Sequence, residues 1–305
     1  MDQSRDPLGD RMKSQYENVT RHTLPRRTYT ILRLDGRAFH TFTRGMERPF
    51  DAAFAHTMDL TAQVLCEEVA GAVFAYAQSD EISILMQDFE STGTQPWFGG
   101  NIQKIVSVAA GIASHHFHSV LATGGPSTCH GFDARVFTIP DQVEVANYFI
   151  WRQRDAVRNS ISMAAQAVFP HKQLYGLNGG QLQEKLFAEA GINWNDYPDG
   201  FKRGRVAVKK FYEADGYERS KWVTQAAPHF TYETGGFLAS TIPPMPQLGK
   251  FGCPELVDAL AQASTSLCEI DCVGDGPGIP ADVAHALVCD ERRALLARFR
   301  GGNAS

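Results

Sequence analysis

From Thr28 to Ile139 strand-type and helix-type runs alternate in an order that few folds accommodate. Thr28–Leu34 is rich in β-branched and aromatic residues and ends at Asp35-Gly36, a turn pair. Phe54, Met58, Ala62, Leu65 and Val69 then fall at helical spacing behind Asp51, a natural N-cap. Ala72–Ala77 reads as a strand, Gln78-Ser79-Asp80-Glu81 as a polar turn, and Ile82 to Met86 as a second strand, so the pair predicts a hairpin. Behind Gly99-Gly100, Asn101 can cap a helix carrying Ile102, Ile105, Val106, Ala109, Ile112 and Ala113, and Ala134–Ile139 reads as a last strand. The order is β-α-β-β-α-β. It predicts an α+β chain built on a ferredoxin-like split βαβ domain, which is also the arrangement of nucleotide-polymerising palm domains.

Around that domain the chain divides into an Arg-rich arm (1–27), the palm-type domain (28–140), a mostly helical region (141–215) and an irregular C-terminal extension (216–305). Pro243-Pro244-Met245-Pro246 reads as a stiff connector, and 254–264 and 280–299 as short helices. With 305 residues, 43% of them hydrophobic and 21% charged, the composition is that of a globular chain rather than a disordered or fibrous one. A net charge of -5 argues against a polycation that coats nucleic acid indiscriminately, but allows a local basic patch. Six cysteines are too few for a disulfide scaffold. The polar N-terminus offers no signal core and no run is long enough to cross a membrane, so the expectation is a cytoplasmic protein with reduced thiols.

The chemistry points to two carboxylates. Asp35 closes the first strand, Asp80 sits in the hairpin, and a split βαβ sheet lays those strands side by side. Paired carboxylates suit Mg²⁺, and two such ions can clamp the attacking and leaving oxygens of a phosphoryl transfer. Gly36 would let a phosphate approach the backbone and add its carbonyl as a ligand. Taken singly, Asp-Gly and Ser-Asp-Glu are ordinary turns; their placement at matched strand ends favours the catalytic reading. Glu81, adjacent, should point to the opposite face and is not assigned as a ligand. Lys104, Ser107 and Gly111 share a helical stripe that suits a triphosphate, and equally suits a solvated face. His115, His116 and His118 diverge around a helix and make a poor metal set. Cys268 and Cys272, with Cys253 and Cys289, lack zinc-ribbon spacing, and Gly274–Gly278 reads as a turn.

Several ordered motifs together resemble the tRNA-His guanylyltransferase family: Leu34-Asp35-Gly36-Arg37-Ala38-Phe39 with Phe42, Arg48-Pro49-Phe50-Asp51, Phe74 through Glu81, Tyr148 to Gln153 with Asp155, and Leu186 to Trp194 with Pro198, Phe201 and Gly204. The match is collinear over about residues 14–212. The resemblance implies a palm-domain enzyme that adds nucleotides to the 5′ end of RNA. A 5′-monophosphorylated tRNA is activated with ATP or GTP, and the 3′-hydroxyl of an incoming NTP then displaces the mononucleotide. By motif position Asp35 and Asp80 would be the catalytic, metal-ligating carboxylates and Gly36 a carbonyl ligand. Arg37, Ala38, Phe39 and His40 would line the triphosphate through their backbone, Lys104 and Ser107 would contact it, and Ser79 would stand beside the second ligand. Arg48 takes the place of a usual Lys near the nucleotide. A tetramer built as a dimer of dimers is also implied.

One departure is informative. Where eukaryotic members carry His-Ile-Asn-Asn-Leu-Tyr-Asn, this chain has Val157 to Met163, in which only Asn159 clearly matches. That resembles the bacterial and archaeal branch and implies template-dependent repair of 5′-truncated tRNA. For RNA phosphates the candidates are Arg158, Lys202, Arg203, Lys209 and Lys210, from a run with five basic residues in nine and from the helical region before it. Asn159 would face the activated 5′ end by resemblance alone. A palm-type nucleotide cyclase or dinucleotide synthase, and a non-catalytic RNA-binding module, remain as alternatives.

Overall fold

The computed structural model describes residues 6–121 and 131–246. In chain order the elements are α1 (Pro7–Met12), β1 (Tyr29–Gly36), α2 (Phe39–Phe42), α3 (Ala52–Glu68), β2 (Ala72–Gln78), β3 (Glu81–Met86), α4 (Ile102–Leu121) and β4 (Phe132–Ile139). They continue as α5 (Gln142–Val168), α6 (His171–Leu174), α7 (Gly179–Ala190), α8 (Asp199–Arg203), β5 (Arg205–Ala214), β6 (Tyr217–Ala226) and α9 (Phe237–Thr241). The chain divides into two units, Met1–Pro243 and Pro244–Ser305. Of the second only its first residues are described, so the helices expected at 254–264 and 280–299, the cysteines from Cys253 onward and the Gly274–Gly278 turn lie outside the described residues.

Six antiparallel strands form one sheet in the order β4-β1-β3-β2-β5-β6. Its first four strands and the helices between them have the order read from the sequence. Alternation along β3 assigns its faces: Ile82, Ile84 and Met86 join Leu32 and Leu34 in a core closed by Met58 and Leu65 of α3 and Ile105 and Phe117 of α4. Glu81 and Ser83 face the other way, onto α5, where the Tyr148 and Ser83 hydroxyls share a 2.8 Å hydrogen bond and the Phe149 and Phe74 rings lie 4.5 Å apart. The sheet is therefore covered on both faces, which explains why β2 and β3 are nearly all buried. The long helices start where the sequence supplies caps: Asp51 accepts from the Phe54 amide, Asp141 from the Glu144 amide, and Asn178 with Gln181 forms a capping box.

Two expectations change. The region 141–215 is not helical to its end, because Arg205–Ala214 is β5 and pairs with β2 at the edge that a four-stranded sheet would leave open. The extension from 216 is not irregular at its start, because Tyr217–Ala226 is β6. The signal was present in the sequence: Asp215-Gly216 forms the hairpin turn with φ of 56° and 77°, as Asp-Gly turns favour. Among the described residues no helix is long and apolar enough to cross a membrane.

Candidate active site

Asp35 and Asp80 meet at one end of the sheet. β1 and β3 pair with Asp35 opposite Glu81, and the Gly36 amide donates to the Asp80 carbonyl at 3.1 Å. Asp80 occupies a two-residue hairpin turn whose other member, Ser79, sits at φ 47°, the left-handed region that L residues enter at a cost. Burial raises the Asp80 carboxyl above its ordinary range, and the charge of Asp35 pushes it the same way. Asp35 is more open, with its side chain 38% exposed and the Arg135 guanidinium 3.8 Å away. Such a long, exposed ion pair neutralises little. A hard divalent cation fits these groups, because it relieves both the mutual repulsion and the burial of Asp80. The described residues hold no group of three or more His, Cys, Asp or Glu side chains fit for a metal, so such an ion would complete its shell with main-chain carbonyl, water or phosphate oxygens, as Mg²⁺ commonly does.

The loop after Gly36 is pinned from beneath. Phe39 is buried with its ring 5.1–6.0 Å from those of Phe42, Phe54, Phe117 and Phe132, contacts worth about 0.5–1.5 kcal/mol each beyond area burial. Ala38 takes a left-handed conformation at φ 60° and starts α2, whose first amides have no acceptor within the helix. Arg37, Ala38 and His40 are exposed, while the Arg37 amide is held by the Gly131 carbonyl at 2.9 Å.

Behind Asp80, Glu81 is buried and faces α5. Arg152 donates from Nε to one Glu81 oxygen at 2.8 Å and from a terminal nitrogen to the other at 2.7 Å, while Arg33 reaches the same carboxylate at 2.7 Å. Arg152 also holds Asp155 at 2.9 Å, which in turn binds Arg158 and accepts weakly from Asn159 at 3.4 Å. This relay links the Asp80 turn to the exposed surface of α5. Sequence reading missed it, since nothing local shows that Arg33 and Arg152 converge on one buried carboxylate.

Beside Ser79 opens a cleft lined by Phe50, Phe54, Gln78, Asn159 and Phe201. The Phe50 and Phe201 rings stack at 5.0 Å and 3°. Arg48, exposed, lies on the segment leading into this cleft.

Other expected residues fall elsewhere. Lys104 and Ser107 are exposed but lie in the early turns of α4, where Asn101 bridges to Thr23 and Gly100 holds Leu24, ahead of the start of β1. The later turns of α4 serve the carboxylates: Ser114 accepts from the Phe132 amide, and Phe132 pairs with Gly36. Lys104 and Ser107 precede Ser114 by about 15 and 10 Å of helix, so they are not gathered with Asp35 and Asp80. Lys202 is buried, donates to the Asn195 carbonyl at 2.6 Å and pairs with Asp199 at 3.1 Å, so it is committed inside the fold. Arg203 is bound to the same Asp199 at 2.5 Å. Arg158 and Asn159 are exposed on α5, and Lys209 and Lys210 on β5.

A family model described as tRNAHis guanylyltransferase matches residues 9–140. Among curated proteins, the tRNA(His) guanylyltransferase of Schizosaccharomyces pombe is 27% identical over 226 residues, covering 68% of this chain and 82% of its own. A bacterial tRNA(His) guanylyltransferase-like protein solved in complex with ATP is 48% identical with a TM-score of 0.68, the match covering 73% of this chain and 93% of that one. The chain belongs to the tRNA(His) guanylyltransferase family. As a member of that family it is a nucleotidyltransferase. A bacterial structure of the same description in complex with GTP is 45% identical with a TM-score of 0.64.

Proposed function

We propose that this family member is a metal-dependent 3′-to-5′ nucleotidyltransferase that restores missing nucleotides at the 5′ end of tRNA, using the opposing RNA strand as template. The observation that carries it is the convergence of Asp35 and Asp80 through the Gly36-to-Asp80 hydrogen bond, beside the start of α2, whose first amides have no acceptor within the helix. The split βαβ order of the sheet supports a palm-type domain. Asp35, Asp80 and the Gly36 carbonyl would hold Mg²⁺, two ions in all, which when bound neutralise phosphate charge and align the reacting oxygens. The backbone of Gly36, Arg37, Ala38, Phe39 and His40 cradles the triphosphate, with Ser79 and Arg48 at its margin. ATP or GTP activates the 5′-monophosphate and pyrophosphate leaves. The 3′-hydroxyl of the incoming NTP then attacks, and the activating mononucleotide leaves. The nucleotide-bound bacterial relatives support triphosphate substrates.

Lys104 and Ser107 stand outside this cradle because α4 carries them to the other end of the sheet. RNA meets Arg158, Asn159 and Lys210. Asn159 shares the cleft with Ser79 and is suited to the activated 5′ end, whereas Lys202 and Arg203 serve the fold. The loss of the eukaryotic His motif favours templated repair. Family resemblance extends the reading to a homotetramer, a dimer of dimers, which light scattering checks for mass.

The test supplies 5′-monophosphorylated tRNA lacking its first nucleotide, with ATP, NTPs and Mg²⁺, and reads the 5′ end at single-nucleotide resolution. Restoration of the templated nucleotide is expected. A cyclic or linear dinucleotide from NTP alone would make the chain a cyclase or dinucleotide synthase, and no product of either kind would leave an RNA-binding role.

A further inference from the structure

β2 covers only the first part of β5, pairing from Arg205 with Ala77 to Val208 with Phe74. Beyond Val208, β5 and β6 continue as a two-stranded ribbon to the Asp215-Gly216 turn. A free ribbon of this kind is marginal in water unless something packs on it. Its two faces differ in charge. Residues directly opposite in an antiparallel pair share a face, and faces alternate along each strand. One face therefore carries Lys209 with Trp222, Phe211 with Ser220 and Glu213 with Glu218; the other carries Lys210 with Lys221, Tyr212 with Arg219 and Ala214 with Tyr217. Trp222 belongs to the core closed by α3 and α4, so the second face looks to the α5 side of the sheet.

That second face gathers Lys210, Arg219 and Lys221 around two exposed tyrosines, Tyr212 at 42% and Tyr217 at 73% exposure. No strand position on it carries a carboxylate; Asp215, in the turn, pairs with Arg219 at 3.1 Å. Lys210 stands directly opposite Lys221. Like charges in that position destabilise a hairpin, and the Lys221 ammonium over the Tyr212 ring, 5.5 Å from its centroid, offsets that for one lysine only, so the ribbon's own stability does not account for the pair. A polyanion with planar groups does: phosphates between the cations, and bases or sugars against the tyrosine rings.

We propose that the Lys210–Arg219–Lys221 face of the β5–β6 ribbon, with Tyr212 and Tyr217, is a docking surface for the RNA backbone. The proposal rests on the reading of this chain as a tRNA enzyme and adds where the RNA body lies. It runs on the α5 side of the sheet, the side that bears Arg158 and Asn159, and extends roughly 13 Å along β5 from Lys210 to Ala214. Lys209, one residue away in sequence, takes no part because it faces the other side.

The experiment measures binding of 5′-monophosphorylated tRNA to the full chain by fluorescence anisotropy across a salt series. The variants are Lys221→Glu, Lys210→Gln with Lys221→Gln, and Lys209→Glu. Lys221→Glu converts a repulsive cross-strand pair into an attractive one, so its melting temperature should hold or rise while RNA affinity falls at least tenfold. The double Gln variant should lose affinity and lower the salt slope by about 1.8, or 0.9 for each phosphate contact. Lys209→Glu should stay within about threefold of the unmodified chain. Equal losses for Lys209→Glu and Lys221→Glu, or no loss in either Lys221 variant while the unmodified chain binds and extends tRNA, would overturn the docking face alone. A change in mass by light scattering without a change in RNA affinity would assign the face to contact between copies of this chain. An unmodified chain that neither binds nor extends tRNA would remove both the docking face and the reading beneath it.

Discussion

The Gly36 amide donates to the Asp80 carbonyl at 3.1 Å, one bond beyond the last residue pair between β1 and β3. That bond fixes the end of β1 against the β2–β3 turn, so the carboxylates of Asp35 and Asp80 are brought together by backbone pairing. The repulsion between them is thereby built into the fold, and it is felt in the raised carboxyl of the buried partner, Asp80.

Gly36 has little room for a side chain. A Cβ there would come within 2.5 Å of the Phe39 ring, and that ring is wedged among four others. Gly36→Ala should cost about 1–3 kcal/mol, the usual range for overpacking a tight site, and should depress nucleotide addition by moving the loop. Urea unfolding with an unchanged midpoint would show that Phe39 yields freely.

Arg152 is the buried hinge of the relay behind Asp80. Arg152→Met leaves Glu81 with Arg33 as its cationic partner and Asp155 without its buried one, and removing one member of a buried ion pair costs about 3–5 kcal/mol. Arg152→Lys should recover only part of this, since an ammonium cannot reproduce the two-bond contact with Glu81. Equilibrium unfolding separates the outcomes; a loss under 1 kcal/mol for Arg152→Met would show that the network is not a structural strut.

Asp199 gives a prediction in pH. A hydrogen bond from Lys202, joined by Arg203, holds its carboxyl below the ordinary carboxylate range. A carboxyl lowered by folding stabilises the fold above its unfolded pKa, and that contribution fades as pH falls through the folded value. Asp199→Asn should therefore lower the melting temperature at pH 7, and the gap should close below about pH 4. Because Asp199 is exposed, the gap should also shrink in high salt. A gap that widens toward acid would reverse the assigned sign.

The sequence made the β1-to-β4 part of the fold legible because each strand and helix there is signalled locally: Asp51 caps, Ser79-Asp80 turns, and apolar spacing changes period between Val69 and Phe74. Asp35 and Asp80 were legible because strand order alone places them together. Lys202 was misread for a physical reason. A Lys in a basic run looks solvated, and only the fold shows it turned inward onto Asn195 and Asp199. Lys104 was misread because helical spacing gives a stripe but not which end of the sheet the stripe serves. The β5–β6 ribbon was marked only by its Asp215-Gly216 turn, because along each face its exposed residues alternate charge and aromatic side chains, with no apolar period to mark a strand.

The most direct test compares the unmodified chain with Asp35→Asn and Asp80→Asn in 5′ nucleotide addition with Mg²⁺, alongside thermal unfolding with and without the cation. The account predicts that each variant folds but loses addition by on the order of 10³-fold or more, a few kcal/mol of lost charge stabilisation. It also predicts that Mg²⁺ raises the melting temperature of the unmodified chain and leaves both variants unmoved. Near-normal addition by either variant would contradict the assignment of Asp35 and Asp80 as one catalytic site.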